Sequence, residues 1–309
     1  MSGPAPDPAV VAVVGAGGRL GRALIRADWP QALTPVALDR AALDLADPDA
    51  PRRVLSALKP AVVINAAGFT DVDGAERAPQ AAALLNRDGP ARLARAAADA
   101  GARLIQVSTD YVFDGTPARP YVEADPARPL NLYGRTKREG EIAVLAAAPD
   151  SVVVRTAWLI GPDRPNFLTA ILDRADAGLP LQVTDDQFGS PTTTPALADA
   201  LIAVAARLAR DPSAPGGIYH FAGAGSASWR DLAEAVLQAR QAAGGPVAPP
   251  VAGRPADVGP DRAPRPTASP LASDALARDY GITAPPWREA VADLVGRMTR
   301  GERAMGDGR

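Results

Sequence analysis

The stretch VVAVVGAGGRLG, residues 10–21, decides the fold class of this chain. A β-branched apolar run leads into glycines at positions 15, 18 and 21, and a segment with helical spacing of apolar residues follows up to position 28. Glycines at this spacing permit a tight turn, a close approach of backbone N–H groups to a pyrophosphate, and tight packing of a helix on a strand. A glycine-rich turn can also be only a turn. Its position between a strand and a helix favours a dinucleotide-binding turn.

The rest of the N-terminal half repeats this strand–helix pattern. Short apolar runs alternate with segments rich in Ala, Leu and Arg whose apolar residues recur at helical spacing, which is typical of βαβ units around a parallel sheet. The predicted strands are 10–14, 35–39, 61–66, 103–108 and 151–156, and the predicted helices are 18–28, 48–58, 80–100 and 133–147. The sequence therefore predicts an α/β fold with a Rossmann-type, doubly wound parallel sheet.

The alternation becomes irregular after Trp158. We predict helices at 166–177, 195–210, from 228 onward, 271–279 and 287–300, strands at 181–184 and 217–221, and a Pro/Gly-rich loop at 244–270. The strand at 217–221 is expected to join the main sheet. These elements predict a dinucleotide-binding domain of residues 8–160 plus about 190–224, and a smaller, discontinuous α/β substrate domain of about 161–189 plus 225–305.

Composition excludes several classes of function. The 309 residues carry 33 Lys and Arg against 35 Asp and Glu, with no polybasic run, so a nucleic-acid partner is not expected. The chain has no cysteine and one histidine, which excludes disulfides and a His-rich zinc site. No targeting pattern and no apolar run of about 18 residues occurs, so no membrane partner is expected. We therefore expect a cytoplasmic enzyme or binding protein.

Three charged residues near the first two strands bear on the choice of cofactor. Asp39 ends the second predicted strand, eighteen residues beyond Gly21, where a carboxylate can hold the adenosine ribose hydroxyls. It can equally cap a loop. Arg19 and Arg40 offer guanidinium groups for a 2′-phosphate. We therefore expect NADPH to be favoured and NADH also to be accepted.

A tyrosine and a lysine are placed for proton transfer. Tyr133 and Lys137 lie four residues apart at the start of a predicted helix, and hence on one face. Thr109 ends a predicted parallel strand, at the edge where open α/β sheets bind ligands. A phenol with its usual pKa of about 10 is a poor acid–base group at pH 7, and we expect the nearby ammonium to lower the Tyr133 pKa. Tyr133 would then exchange a proton with a carbonyl oxygen.

Lysine is rare in this chain. Only Lys59 and Lys137 are lysines among the 33 cationic residues, and the other 31 are arginines. Arginine supplies the same charge, but a compact ammonium that reaches both a ribose and a phenol is a reason to retain lysine. The scarcity therefore strengthens the functional interpretation of Lys137.

In this context the sequence resembles a known family over nearly its whole length: the extended short-chain dehydrogenase/reductases, and within them the dTDP-4-dehydrorhamnose reductases. The segments that carry the resemblance are Asn65-Ala66-Ala67, STDYVFDG at 108–115, PLNLYGRTK at 129–137, RTAW at 155–158, Asn166-Phe167, DQFGSPT at 186–192, GIYH at 217–220, and Arg265-Pro266 with Ser269 and Leu271.

The resemblance implies a catalytic triad in which Thr109 orients the substrate oxygen, Tyr133 protonates it, and Lys137 holds the nicotinamide ribose and tunes Tyr133. It implies reduction of C4 of a dTDP-sugar, dTDP-4-dehydro-β-L-rhamnose, to give dTDP-β-L-rhamnose. The expected cofactor-binding residues, besides Tyr133 and Lys137, are Gly15, Gly17, Gly18, Arg19, Leu20, Gly21, Asp39, Arg40, Asp44, Leu45, Asn65, Ala66 and Ala67. The expected substrate-binding residues are Asp110, Tyr111, Trp158, Asn166, Phe167, Asp186 and Gln187.

Several alternatives stay open. The chain can be a reductase of another dTDP-4-keto-6-deoxy sugar, or a non-catalytic NADP-binding regulatory subunit like the β subunit of methionine adenosyltransferase. Trp158 and Phe167 can be plain core residues, and the lone His220 is interpreted as a hydrogen-bonded structural histidine. Dehydratase chemistry is not expected, because Tyr111 follows Asp110 where the related dehydratases have glutamate. The expected assembly is a monomer or a homodimer; some family members dimerise around Mg²⁺ held by glutamates, a site that this sequence does not reveal.

Overall fold

The structure is a computed structural model, and it describes residues 7–301 except 117, 164, 248, 258 and 260. Its strands are β1 (Ala9–Val14), β2 (Leu33–Leu38), β3 (Val62–Asn65), β4 (Arg103–Thr109), β5 (Val152–Thr156), β6 (Leu159–Ile160), β7 (Leu181–Thr184), β8 (Phe188–Gly189), β9 (Thr192–Thr193), β10 (Gly217–His220), β11 (Ala227–Ser228) and β12 (Val251–Arg254). Its α-helices are α1 (Arg19–Arg26), α2 (Ala50–Leu58), α3 (Val72–Arg77), α4 (Pro79–Ala83), α5 (Gly89–Asp99), α6 (Leu132–Ala147), α7 (Phe167–Asp176), α8 (Thr194–Arg210), α9 (Trp229–Ala242), α10 (Asp274–Tyr280) and α11 (Trp287–Thr299).

Six parallel strands form the central sheet, in the order β10-β5-β4-β3-β1-β2. Helices α1 and α8 cover one face, where Leu24 and Leu201 join a fully buried core. Helices α2, α5 and α6 cover the other face, where Leu55, Leu93 and Val144 are fully buried. Strands covered on both faces read as continuous apolar runs, which is why the sequence pattern could reveal them. The predicted Rossmann-type, doubly wound α/β fold is confirmed, with strand ends that differ from prediction by up to two residues.

A second core lies beside the sheet and is built from α7, α9 and α11 with β7 and β12. Leu168, Leu232 and Val291 are fully buried in it. These residues come from both segments of the predicted substrate domain, whose residues 164, 248, 258, 260 and 302–305 lie outside the described part of the chain. Helix α10, which the prediction assigns to the same domain, packs instead on the core of the main sheet through Leu276.

The prediction of an unbroken loop over 244–270 is wrong for β12. This strand pairs in parallel with β7, with Val251 opposite Leu181. Its four residues, Val-Ala-Gly-Arg, have no apolar run of their own, and only Val251 is buried. The strand therefore exists because β7 offers it a hydrogen-bonding edge, which is a tertiary cause that local sequence does not carry.

The helix predicted at 80–100 is interrupted, and the interruption helps to position α6. Between α4 and α5 the chain makes a π-helical turn over Leu84–Asp88. In that turn the Asn86 amide accepts a hydrogen bond from Phe69 N (2.8 Å), and its Nδ2 donates to Phe69 O (3.0 Å) and to Thr136 Oγ1 (3.1 Å). Asn86 thus joins the loop after β3 to helix α6. None of the helices in the described ranges is long and apolar enough to cross a membrane.

Candidate functional site

A cleft of about 920 Å³ opens at the carboxyl ends of the central strands. One end is lined by the loop after β1 and by Asp39 and Asp44, and the other by Thr109, Tyr133 and Lys137. Parallel sheets place ligands at this edge, because the loops that leave neighbouring strands diverge there. The cleft has a volume at the upper end of those usual for small-molecule sites.

The turn after β1 needs glycine at two positions for reasons of space. Gly15 has φ +79°, and a Cβ on it would lie 2.7 Å from Ala67 N of the neighbouring loop. A Cβ on Gly21 would lie 2.2 Å from Gly15 O, so Gly21 lets α1 pack on the turn rather than lining the cleft itself. Gly15, Gly17 and Gly18 line the cleft, and α1 begins there without a side-chain cap. This cradle fits a pyrophosphate, because uncapped N–H groups at a helix N-terminus bind anions.

Five more of the predicted cofactor-binding residues line the cleft: Leu20, Asp39, Arg40, Asp44 and Leu45. Asp39 Oδ1 accepts hydrogen bonds from the backbone N–H groups of residues 41 and 42, at 3.0 Å each, so this carboxylate also caps the turn after β2. Arg40 pairs with Asp44 at 3.3 Å, and its side chain is 81% exposed. This end of the cleft therefore carries one exposed cation beside two carboxylates.

The structure places Arg19 differently from the prediction. Its guanidinium donates to Leu159 O at 3.1 Å and to Pro165 O at 3.0 Å, on the segment that faces α1 across the cleft. Arg26 supports the same segment through an ion pair with Asp163 at 2.7 Å. Arg19 lines the cleft, and these bonds hold its guanidinium against the opposite wall.

Asn65, which is predicted to bind the cofactor, does not line the described cleft. Asn65 is fully buried; its Nδ2 donates to Gln106 Oε1 (2.8 Å) and its Oδ1 accepts from Ala67 N (3.1 Å). Ala66 and Ala67 line the cleft as expected. Asn65 therefore shapes the loop that presents them.

Strand β4 and helix α6 bring together the predicted catalytic residues. Asn131 caps α6 by accepting from Gly134 N at 2.8 Å, which fixes the first turn, where Tyr133 lies. The Thr109 hydroxyl donates to Asp110 Oδ1 at 3.1 Å and also makes a hydrogen bond with the Tyr133 phenol. The Lys137 ammonium donates to Val107 O of β4 at 2.7 Å. All three catalytic candidates thus face one end of the cleft.

Burial dominates the electrostatics of this end. It raises the pKa of Tyr133 to about 12, although the hydrogen bond with Thr109 acts in the opposite direction. It lowers the pKa of Lys137 to about 8, against the attraction of Glu141. The expected lowering of the Tyr133 pKa by Lys137 is therefore wrong for this structure, because the desolvation of the phenol outweighs any effect of the ammonium, whose described bond is to a backbone carbonyl.

Asp110 lies beside the catalytic residues in the wall of the cleft. Its Oδ2 accepts from Ser269 Oγ at 2.6 Å, and burial raises its pKa to about 6. Tyr111 lines the cleft as well and meets the Tyr133 ring edge-on, with centroids 5.5 Å apart. Arg265 makes a hydrogen bond with the Tyr111 phenol. Two of the predicted substrate residues are thus placed next to Tyr133.

Two tryptophans form the far wall of the cleft. Trp158 has the unusual φ of +43° and stacks on Trp229, with ring centroids 3.6 Å apart and planes at 5°. Both line the cleft, so the alternative that Trp158 is only a core residue is not supported. Phe167 packs on Trp229 from the side, with centroids 4.7 Å apart. Sequence reasoning missed Trp229, since it begins α9 without any motif around it.

Four predicted substrate residues do not line the described cleft: Asn166, Phe167, Asp186 and Gln187. Asn166 caps α7 by accepting from Leu168 N (3.1 Å) and donates to Gly161 O (2.8 Å). Asp186 accepts from Ala256 N at 2.9 and 3.1 Å. These polar side chains hold the segments around the second core, which is a structural role that the motif alone does not distinguish from ligand contact.

A buried ionic network supports the site from beneath α6. Arg155 pairs with Glu141 at 2.8 Å, and Ser108 Oγ donates to the same carboxylate at 2.6 Å. His220 Nδ1 lies 3.2 Å from two backbone carbonyl oxygens, and burial lowers the pKa of His220 to about 4. The structure therefore agrees with a structural role for His220, and it reveals Glu141 as a partner that sequence reasoning missed. The described residues include no group of three or more His, Cys, Asp or Glu placed to hold a metal ion.

The fold and the site define an NAD(P)-dependent oxidoreductase of the extended short-chain dehydrogenase/reductase class. The features that define it are the parallel sheet, the glycine turn after β1, and the cluster of Thr109, Tyr133 and Lys137. The family model described as RmlD substrate binding domain matches residues 9–300. The chain therefore belongs to this family, that of the dTDP-4-dehydrorhamnose reductases.

Individual relatives agree with this assignment. A dTDP-4-dehydrorhamnose reductase of Streptomyces griseus is 46% identical over 72% of this chain and 73% of its own length. The enzyme of that name from Burkholderia thailandensis is 37% identical over 92% of this chain and 97% of its own. A crystal structure of the Bacillus anthracis dTDP-4-dehydrorhamnose reductase in complex with NADP superposes with a TM-score of 0.85, at 28% identity, and covers 93% of this chain and 98% of that one.

Proposed function

We propose that this protein reduces the C4 keto group of dTDP-4-dehydro-β-L-rhamnose to give dTDP-β-L-rhamnose, with NADPH as the preferred cofactor and NADH also accepted. The observation that carries the proposal is the convergence of Thr109, Tyr133 and Lys137 at one end of a cleft whose other end is a glycine cradle. Membership in the family supplies the reaction, and the cleft connects the glycine cradle with the three side chains.

The chemistry divides between the cofactor and three side chains. When bound, NADPH supplies the hydride that adds to C4. The Tyr133 phenol delivers its proton to the C4 oxygen as negative charge develops there, so that the product is an alcohol. The raised pKa keeps Tyr133 protonated before reaction, which is the state that a proton donor needs. Thr109 holds the same oxygen by a hydrogen bond, and Lys137 holds the nicotinamide ribose.

The wider assignment of residues is part of the proposal. Residues 8–160 and about 190–224 bind the cofactor, and about 161–189 and 225–305, apart from α10 on the main sheet, bind the sugar nucleotide. Tyr111, Trp158 and Asp110 bind the sugar; all three line the cleft, and the contact of the Tyr111 ring with Tyr133 supports this assignment. A cytoplasmic location, and a monomeric or homodimeric state, stay predictions. A magnesium ion between two protomers would need ligands from both, and no residue of this chain is assigned to it.

A coupled assay tests the reaction. The substrate is made from dTDP-glucose with the upstream dehydratase and 3,5-epimerase, NADPH consumption is followed, and the product is identified by NMR. We expect NADPH consumption that depends on the epimerase, and a larger kcat/KM with NADPH than with NADH. Equal reduction without the epimerase would contradict the L-rhamnose assignment. No consumption with any 4-keto sugar would favour the regulatory alternative.

A further inference from the structure

The last residue of β5, Thr156, carries a hydroxyl whose position points to a ligand. Thr156 lies opposite Thr109 in the register of the sheet, so it stands at the reactive end of the cleft. The residue is 7% exposed and lines the cleft. Its Oγ1 is buried and has no hydrogen-bond partner among the described residues. Buried hydroxyls in folded proteins are nearly always paired, so a partner is expected from the occupant of the cleft.

Two other buried hydroxyls share this lack of a partner in the described part of the chain, and they differ from Thr156 in place. Ser151 precedes β5 at the opposite, amino end of the sheet. Thr194 begins α8, and a Cβ on Gly161 would lie 2.3 Å from its Oγ1, so it is packed against the backbone. Neither of them lines the cleft. The unpaired hydroxyl of Thr156 is therefore distinguished by facing the space that a ligand enters.

The alternation of side chains along β5 shows which face of the sheet Thr156 occupies. Val152 and Val154 pack in the core with Leu20 of α1, whereas Arg155 points to the opposite face and pairs with Glu141 of α6. Thr156 continues the Val152 and Val154 series, because side chains two residues apart in a strand lie on the same face. This face is the one that α1 covers, and α1 begins at the glycine cradle. Thr156 therefore lies at the reactive end on the same side of the sheet as the glycine cradle.

We infer that the Thr156 hydroxyl is a cofactor-binding group that makes a hydrogen bond with the carboxamide of the nicotinamide ring. This inference rests on the proposed function. The carboxamide is the polar substituent of the reactive ring, and it offers both a donor and an acceptor, which a threonine hydroxyl complements. The bond fixes the rotation of the ring about its glycosidic link, and so presents one face to the sugar carbon. One short segment, residues 155–158, then contacts both ligands. Thr156 contacts the cofactor, and Trp158 contacts the sugar.

Calorimetric binding of two cofactor forms tests the inference. Thr156→Val keeps the shape of the side chain and removes the hydroxyl, and Thr156→Ser is the matched control that keeps the hydroxyl. Each variant is titrated with NADP⁺ and with 2′-phospho-ADP-ribose, which lacks the nicotinamide. We expect Thr156→Val to bind NADP⁺ about tenfold more weakly than the wild type, the magnitude for one lost hydrogen bond. We expect its affinity for 2′-phospho-ADP-ribose to be unchanged, and Thr156→Ser to bind both forms like the wild type.

The other possible results distinguish a failure of this inference from a failure of the proposed function. Equal weakening of both forms in Thr156→Val would show that the hydroxyl supports the fold of the cleft, and would overturn the inference. Unchanged NADP⁺ affinity, with or without a raised KM for the sugar, would overturn it as well, since the hydroxyl would then serve the sugar or neither ligand. A wild-type protein that binds 2′-phospho-ADP-ribose and NADP⁺ equally well overturns the inference alone. A wild-type protein that binds neither overturns the proposed function itself.

Discussion

At the scale of single residues, the site depends on groups whose burial changes their chemistry. Burial makes Tyr133 a weaker acid and makes Lys137 easier to deprotonate than either group is in water. Both effects favour the neutral forms of the two side chains. A proton therefore stays on the Tyr133 phenol until charge on the substrate oxygen draws it away.

Replacing Tyr133 with phenylalanine removes the proton donor and leaves the ring in place. We expect kcat to fall roughly 10²- to 10⁴-fold, the usual contribution of a general acid, while the affinity for NADPH barely changes. Stopped-flow measurement of hydride transfer, together with a binding titration, checks both parts. Hydride transfer at a rate close to that of the wild type would contradict the role of Tyr133.

Replacing Lys137 with arginine preserves charge but not size. The Lys137 ammonium is buried and donates to Val107 O at 2.7 Å, and a planar guanidinium does not fit a site made for a compact cation. We expect weaker NADPH binding and a shifted pH profile of kcat/KM. Lys59→Arg is the matched control, because Lys59 is exposed and should tolerate the change. If Lys137→Arg binds NADPH like the wild type and keeps the same pH profile of kcat/KM, the site has no functional need for lysine rather than arginine.

At the scale of elements, α6 is held to the sheet by polar contacts on its buried side. Glu141 lies one turn beyond Lys137 and accepts from Ser108 of β4 and from Arg155 of β5. Asn86 of the π-helical turn bonds to Thr136 on the same helix. These bonds fix the rotation of α6 about its axis, which aims Tyr133 and Lys137 into the cleft.

Replacing Glu141 with glutamine leaves the buried Arg155 without its countercharge. We expect the free energy of unfolding to fall by about 3–5 kcal/mol, the usual cost of breaking a buried ion pair by removing one partner. Glu139→Gln is the control on the same helix, where Glu139 forms a half-exposed pair with Arg87 at 3.3 Å and is expected to contribute about 1 kcal/mol or less. Urea denaturation of both variants measures the difference. Similar losses of unfolding free energy in the two variants would mean that the buried ion pair contributes no more to stability than the exposed one.

At the scale of the whole molecule, two buried groups couple stability to pH in opposite directions. The pKa of His220 is about 4 in the fold and about 6.5 in the unfolded chain, so stability is lost as pH falls through this range. The pKa of Asp110 is about 6 in the fold, above its usual 3.8, so the folded state keeps a proton there and stability is gained as pH falls. Each group contributes up to about 3 kcal/mol over the interval between its folded and unfolded pKa, and the two contributions have opposite signs.

Variants that remove one group at a time expose this balance. We expect His220→Gln to lose less stability than the wild type between pH 7 and pH 4.5, because the destabilising protonation of His220 is removed while the stabilising protonation of Asp110 remains. We expect Asp110→Asn to lose more, because the stabilising protonation of Asp110 is removed while the protonation of His220 remains. The measurement is the free energy of unfolding of each variant at both pH values, compared as a difference so that any constant effect of the substitution drops out. Identical pH differences in the two variants would contradict the coupling.

The sequence by itself determined the α/β class, the parallel strands, the glycine turn and the three catalytic candidates. It could do so because strands buried on both faces are continuously apolar. The positive φ of Gly15 and the close approach of Gly21 to Gly15 O are also constraints within a single βα unit. The resemblance carried by its motifs led to the family, which the comparisons confirm.

Only the tertiary structure decided which polar residues face the cleft. Asn65 bonds to the side chain of Gln106, and Asp186 accepts from the backbone of Ala256, both distant along the chain. Arg19 bonds to the opposite wall of the cleft. Trp229 lines the cleft although no sequence motif surrounds it. The tertiary structure likewise decided the direction of the Tyr133 pKa, because desolvation depends on how many groups surround the phenol and not on the residue four positions away. Spacing along a chain fixes which face of an element a residue occupies, whereas its hydrogen-bond partner and its burial are set by elements that meet only when the chain folds.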